Sequence, residues 1–202
     1  MNLDEQIVRH QVAETWVPDP FAHMRNPRDA FHAEWAAKKL RPISPASVLD
    51  VGCYDGWLAF ILLWGRSDLF ITGLELIPNL CESARMYRDR MRERNFVILE
   101  GSLLETDIAG GLNAVICFEV LEHIPLDEVP AWLSKMEDLS HPGALILLSL
   151  PDQRHEDNPQ HLWTPTRSVI DDLLRHKKGV TVEYKSYPGT TIPGNFLISY
   201  FA

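Results

Sequence analysis

Val48-Leu49-Asp50-Val51-Gly52-Cys53-Tyr54-Asp55-Gly56-Trp57-Leu58-Ala59 is the most informative stretch of the chain. An apolar run enters a turn bounded by Gly52 and Gly56, and a second apolar run, residues 57–64, leaves it. The pattern predicts a buried strand, a glycine turn and a helix. Glycine lets the backbone approach a ligand closely, and the helix start offers N–H groups with no partner inside the helix. The turn is not the dinucleotide fingerprint G-x-G-x-x-G. It reads G-x-x-x-G, with Asp50 two residues before the first glycine. An acid there does little for a phosphate and favours a cationic ligand.

The same rhythm continues on either side. Residues 47–51, 70–75, 96–99, 114–118 and 144–150 read as strands. They are continuously apolar and not alternating, as a parallel sheet covered on both faces requires. Asn26-Pro27 caps and opens a helix through Leu40, Pro78 opens one to about Arg94, and residues 126–139 form another. Alternating strands and helices mean βαβ units and a doubly wound α/β sheet. Residues 180–184 and 196–200 are strands with no helix between them, so they pair antiparallel. Residues 1–25 stand apart: a helix over 3–14 and a proline-stiffened aromatic link, 16–21, that pack on the sheet edge or form a lid. Residues 26–202 are then the main domain.

The 202 residues are 46% hydrophobic and 23% charged, an ordinary globular composition. No apolar run approaches the roughly 20 residues of a membrane helix. The N-terminal residues Met1 to Glu5 lack a signal-peptide pattern, so the expected location is the cytoplasm. A net charge of −9 disfavours nucleic acid as a partner. The arginines at 85, 88, 90, 92 and 94 read first as the solvated face of a helix. Cys53, Cys81 and Cys117 have no C-x-x-C spacing and read as reduced thiols. Nothing in the sequence speaks to oligomeric state.

From about residue 45 to 185 the sequence resembles the class I S-adenosylmethionine-dependent methyltransferases, whose first motif reads acid-x-Gly-x-Gly-x-Gly. Asp50, Gly52 and Gly56 match that motif, with Tyr54 at the family's middle glycine. Gly73-Leu74-Glu75 matches the ribose-binding acid at the end of the second strand, and Gly101-Ser102 stands where the family has Gly-Asp beside the adenine. Residues 113–124, ending in Glu119-Val120-Leu121-Glu122-His123-Ile124, match the family's "evLEHi" segment, with Asn113 replacing an aspartate. The resemblance implies a Rossmann-like seven-stranded sheet, mostly parallel with the last strand antiparallel. It also implies S-adenosyl-L-methionine as cofactor, contacted by Asp50, Gly52, Cys53, Tyr54, Gly56, Glu75, Ser102 and Phe118. Tyr54 and Trp57 either pack on the cofactor or fill the core.

Glu119, Glu122 and His123 share one face if a helix starts near Val120. His123, with Glu119, is the candidate general base for an attacking hydroxyl or amine; a bland reading has Glu122 and His123 as loop supports. The resemblance to Hen1-type RNA 2′-O-methyltransferases implies instead a divalent cation on Glu119, Glu122, His123 and His161, with His155 another distant ligand. His161-Leu162-Trp163-Thr164-Pro165 matches a stretch of small-molecule methyltransferases, with Thr164 the expected cap of the next helix and His161 and Trp163 bordering the acceptor. The expected activity is methyl transfer to an O or N atom of a small molecule such as a sugar or other metabolite. The alternatives are a metal-dependent RNA 2′-O-methyltransferase and a non-catalytic cofactor-binding subunit.

Overall fold

Continuous apolar runs become parallel strands in the first of two units into which the chain divides, residues 1–106 and 107–202. The computed structural model describes residues 20–44, 46–152, 159–187 and 194–202. The helix expected over 3–14, residues 16–19 of the link, His155 and residues 188–193 of the last connector lie outside them.

In the first unit β1 (Ala46–Val51), β2 (Leu69–Glu75) and β3 (Phe96–Glu100) pair in parallel, with Val48 opposite Ile71 and Ile71 opposite Phe96. Val48, Leu49 and Ile71 are fully buried. Three helices accompany these strands: α1 (Pro27–Leu40), α2 (Trp57–Gly65) and α3 (Pro78–Met91). α1 starts where the sequence predicts, with the Asn26 carboxamide oxygen accepting the Arg28 N–H at 2.9 Å and Pro27 in the first turn. α3 stops three residues short of the expected Arg94. Arg92 turns left-handed (φ 55°), and its N–H closes on the carbonyls of Arg88 and Asp89.

The second unit holds β4 (Leu112–Phe118), β5 (Ser140–Pro151), β6 (Lys178–Lys185) and β7 (Asn195–Phe201), with α4 (Val129–Leu139) and α5 (Arg167–Leu173). β4 and β5 are parallel, while β7 runs antiparallel to both β5 and β6. Seven strands, parallel except for the last, give the Rossmann-like α/β class that the sequence predicts. Two local expectations fail. Residues 121–123 form only a 3-10 turn, because Ile124 precedes Pro125 and is held extended (φ −99°, ψ 139°). The cap of α5 is Thr166, not Thr164: its hydroxyl accepts the Val169 N–H, and the Pro165 ring is buried ahead of the helix.

Cys53, Cys81 and Cys117 are buried, and none of them is in a disulfide. No helix among the described residues is long and apolar enough to cross a membrane.

Gly56 tests the packing of the first unit. Its φ is +81°, and a Cβ there would lie 2.7 Å from Cε1 of the buried Phe96. Gly56→Ala is expected to cost about 2–4 kcal/mol in urea unfolding, from left-handed strain plus overpacking. Gly65→Ala, with nothing within 4 Å of its Cβ, should stay within about 1 kcal/mol of wild type.

Candidate functional site

The turn after β1 is built on left-handed residues. Gly52 (φ 71°), Tyr54 (φ 56°) and Gly56 (φ 81°) alternate with Cys53 and Asp55. Tyr54 therefore keeps the backbone shape that a glycine would take there, at a cost of about 1–2 kcal/mol. Gly52 and Cys53 donate their N–H groups to the Leu74 carbonyl at 2.8 and 3.1 Å, so the turn is tied to the end of β2. Glu75 strengthens that tie. Its Oε2 accepts the Tyr54 N–H and its Oε1 accepts the Ile77 N–H, both at 2.9 Å. A carboxylate has about four acceptor sites, so each oxygen can still take a ligand hydroxyl. Burial raises the pKa of Glu75, and the backbone N–H groups of Ile77, Tyr54 and Leu76 pull against that rise.

Asp50 is 4% exposed, and its Oδ2 has no hydrogen-bond partner among the described residues. Burial, then the charge of Glu75, lifts its pKa from 3.8 to about 7. A buried carboxylate with an open oxygen fits a ligand that brings a cation, and Glu75 fits one that brings hydroxyls. Those are the two ends of S-adenosyl-L-methionine that the resemblance assigns to these acids, so the residues present suit that group. Gly101 donates to the Glu75 carbonyl at 2.9 Å, which sets half-buried Ser102 beside the same strand end. Cys53 differs from its neighbours: its side chain is buried, and a Cβ at Gly73 would lie 2.7 Å from its sulfur. Only its backbone is available to a ligand at the turn.

The second unit carries the other candidates. Phe118 ends β4 half-buried. Glu119 follows it with φ 56°, and its Oε1 accepts Ser149 Oγ at 2.8 Å and Asn195 Nδ2 at 2.7 Å. Glu122, His123 and His161 converge, offering a carboxylate oxygen and two imidazole nitrogens within 4.8 Å of one another. Glu119 is not a member of that cluster. His123 Nδ1 lies 3.2 Å from the Gln160 carbonyl, which can only accept, so Nδ1 carries the proton and Nε2 is the basic nitrogen. The His123 and His161 rings meet edge to face at 4.8 Å. Trp163 donates its indole N–H to the carbonyls of Leu121 and Ile124, both at 3.0 Å, so it braces the 3-10 turn.

Sequence reasoning passed over Asp55, Ser149 and Asn195. Asp55 Oδ1 accepts the Trp57 N–H at 3.1 Å and so caps α2, a role signalled by an acid two residues before a helix start. Asn195 lies 76 residues from Glu119, and no local pattern announces that contact.

A family model described as a methyltransferase domain matches residues 21–177. The ubiquinone biosynthesis O-methyltransferase of Xanthomonas axonopodis pv. citri is 30% identical over 145 residues, 65% of this chain and 59% of that protein. The small RNA 2′-O-methyltransferase of Arabidopsis thaliana is 28% identical over 134 residues, 62% of this chain and 14% of that protein. The chain thus spans less than two thirds of the length of these curated relatives. Among solved structures, the N-methyltransferase NodS of Bradyrhizobium japonicum WM9, in complex with S-adenosyl-L-homocysteine, superposes with a TM-score of 0.76. It is 15% identical, and the match covers 98% of this chain and 96% of that one, a likeness of fold.

Asp50 makes a prediction that needs no ligand. A carboxyl raised from 3.8 to about 7 contributes its full stability below pH 3.8 and loses it as pH climbs through about 7. Asp50→Asn should therefore be more stable than wild type by about 1–4 kcal/mol at pH 8. The gap should shrink towards pH 5, as read from urea midpoints at the two values.

Proposed function

The chain belongs to the methyltransferase-domain family whose model spans residues 21–177, and from that membership we propose that it methylates an oxygen or nitrogen of a small-molecule acceptor. The methyl donor is S-adenosyl-L-methionine, which supplies a methyl group made electrophilic by its sulfonium sulfur. The observation that carries the reading is the pair of buried carboxylates at adjacent strand ends, Asp50 with an open oxygen and Glu75 bound to the left-handed turn. Asp50 takes the ammonium of the amino-acid end, Glu75 the ribose hydroxyls, and the backbone of Gly52 to Gly56 wraps the chain between them. Ser102 offers its hydroxyl to the adenine amino group, and Phe118 lends an apolar contact.

His123 is the general base of this reading. Its Nδ1–H is held by the Gln160 carbonyl, so Nε2 would take the proton of the acceptor hydroxyl or amine as its oxygen or nitrogen bonds to the methyl carbon and the methyl–sulfur bond breaks, the electron pair leaving on the neutral thioether of S-adenosylhomocysteine. Glu119, fixed by Ser149 and Asn195, orients the acceptor. His161 and Trp163 border it. A small acceptor agrees with the net charge of −9 and with the likeness to a ubiquinone biosynthesis enzyme.

A second reading has an observation of its own. Glu122, His123 and His161 within 4.8 Å, together with the likeness to a small RNA 2′-O-methyltransferase, suit a divalent cation that would engage a ribose 2′-hydroxyl. In that case His123 is a ligand and not a base.

Calorimetry and turnover separate these cases. S-adenosylhomocysteine should bind wild type, and Asp50→Asn and Glu75→Ala should each weaken it at least about tenfold, the loss of one or more charge-assisted bonds. Unchanged affinity in both variants removes the two acids from the site. His123→Ala should keep its affinity and lose about 10²–10⁴ in kcat, with transfer by wild type surviving a chelator. Activity lost on chelation and restored by a divalent cation favours the second reading. Tight binding with no transfer to any acceptor class marks a non-catalytic subunit.

A further inference from the structure

One group of charges in the first unit has no part in the chemistry above. His23 lies in the 3-10 turn Pro20–Arg25, which leads into α1. Its Nδ1 is 2.8 Å from Oδ2 of Asp29 in α1, and its Nε2 is 3.7 Å from Oδ2 of Asp55 in the glycine turn. A carboxylate only accepts, so Nδ1 donates to Asp29, while Nε2 faces Asp55 beyond hydrogen-bond distance as the charged side of an ion pair. The ring stacks on Trp57, with centroids 5.0 Å apart and planes 13° from parallel, and meets Tyr54 edge-on at 6.0 Å. His23 therefore faces two residues of the turn, Tyr54 and Asp55, and Trp57 at the start of α2.

Asp55 is 0% exposed. A carboxylate buried to that degree needs a compensating charge, and removing its partner leaves it uncompensated. Its Oδ1 is committed to the Trp57 N–H; its Oδ2 has no hydrogen-bond partner among the described residues, and the His23 ring nitrogen faces it at 3.7 Å. Arg28 Nε lies 3.5 Å from the other oxygen of Asp29, so two cations face two carboxylates. Burial opposes the charge on His23, yet Asp29 and Asp55 together outweigh it and raise its pKa to about 9. At neutral pH the ring stays charged.

We propose that His23 is a positioning residue for the cofactor turn: held by Asp29 and stacked on Trp57, its imidazolium locks Asp55 and with it the left-handed backbone of residues 52–56. The proposal rests on the reading that this turn holds S-adenosyl-L-methionine. His23 itself makes no contact with the cofactor in that reading. It acts by keeping the Tyr54 N–H on Glu75 and the start of α2 on Asp55, so that the acids and amides of the turn are aligned before the ligand arrives. A non-glycine residue at positive φ persists only where its surroundings over-determine it, and the clamp supplies that determination for Tyr54.

The test compares His23→Phe, His23→Gln and His23→Asn in the full chain. Phenylalanine keeps the stack on Trp57 and removes both nitrogens. Glutamine can return a donor towards Asp55, whereas asparagine can return one only towards Asp29. His23→Phe is expected to raise the Kd of S-adenosylhomocysteine and the KM for S-adenosylmethionine about tenfold or more, with kcat at saturation within about threefold of wild type. His23→Gln should recover more of the affinity than His23→Asn, and His23→Phe added to Asp55→Asn should bind no worse than Asp55→Asn alone. Wild-type affinity in His23→Phe, equal losses in the glutamine and asparagine variants, or additive losses in the double variant each overturn the proposal. Amide hydrogen exchange over residues 53–57, without ligand, should be at least tenfold faster in His23→Phe. Unchanged exchange there overturns the clamp. If wild type binds no cofactor, that failure belongs to the reading of the turn, and the exchange result still decides whether His23 holds it.

Discussion

The first unit depends on one carboxylate accepting two backbone N–H groups from different parts of the chain. Glu75 takes the Ile77 N–H from its own loop and the Tyr54 N–H from 21 residues earlier. Parallel pairing brings those loops together, because Asp50 lies opposite Gly73 and Val51 opposite Leu74. The carboxylate then turns adjacency into a fixed geometry. Without it, the Tyr54 N–H would be an unpaired donor at a left-handed residue, the least favourable place to leave one. The missing side chain of Gly73 completes the arrangement by admitting the Cys53 sulfur where a Cβ would collide.

This arrangement is not built for stability. Asp50, Asp55 and Glu75 are all buried in one unit, and desolvation works against the charged forms of Asp50 and Glu75. Compensation differs among the three. Asp55 has a helix N–H and an imidazolium, and Glu75 has two amides. Asp50 Oδ2 and Asp55 Oδ2 both lack a hydrogen-bond partner among the described residues, but Asp55 faces the His23 ring at 3.7 Å and Asp50 faces no cation among them. A fold under selection for stability alone would replace Asp50 with a neutral residue. Its retention inside a packed sheet is the local rule-breaking expected where a ligand, and not the chain, supplies the missing charge.

Local signals made much of this legible in advance. Continuous apolar runs gave the parallel strands, Asn26-Pro27 gave the start of α1, and the absence of a helix between β6 and β7 gave their antiparallel pairing. The placement of Asp50 and Glu75 at the ends of β1 and β2 was also readable, because each strand end is marked by glycine. What was not legible depends on longer range or on competition between equal candidates. Thr164-Pro165 and Thr166 both offer a helix start, and burial of the proline ring decides between them. Glu119 meets Asn195 across 76 residues, and His23 meets Asp55 only because the turn carrying His23 folds back over the glycine loop. Pro125 did announce the end of any helix after Val120, since the residue before a proline resists the helical region.

The shortness of that 3-10 turn has a consequence for the second unit. A longer helix would have paired the Ile124 carbonyl internally; the single 3-10 turn gives the Leu121 carbonyl the Ile124 N–H at 3.1 Å and leaves its second lone pair and the Ile124 carbonyl open to a side-chain donor. The Trp163 indole serves both, and the Leu162 N–H serves Glu122 on the same stretch. These bonds fix residues 160–163 alongside residues 121–124, and His161 is carried to His123 as a result. Trp163 therefore shapes the site through its N–H, whatever its ring meets. A base at His123 and a cation shared by Glu122, His123 and His161 both require this brace, so the backbone is common ground to the two chemistries. Only the occupant of the three converging side chains tells them apart.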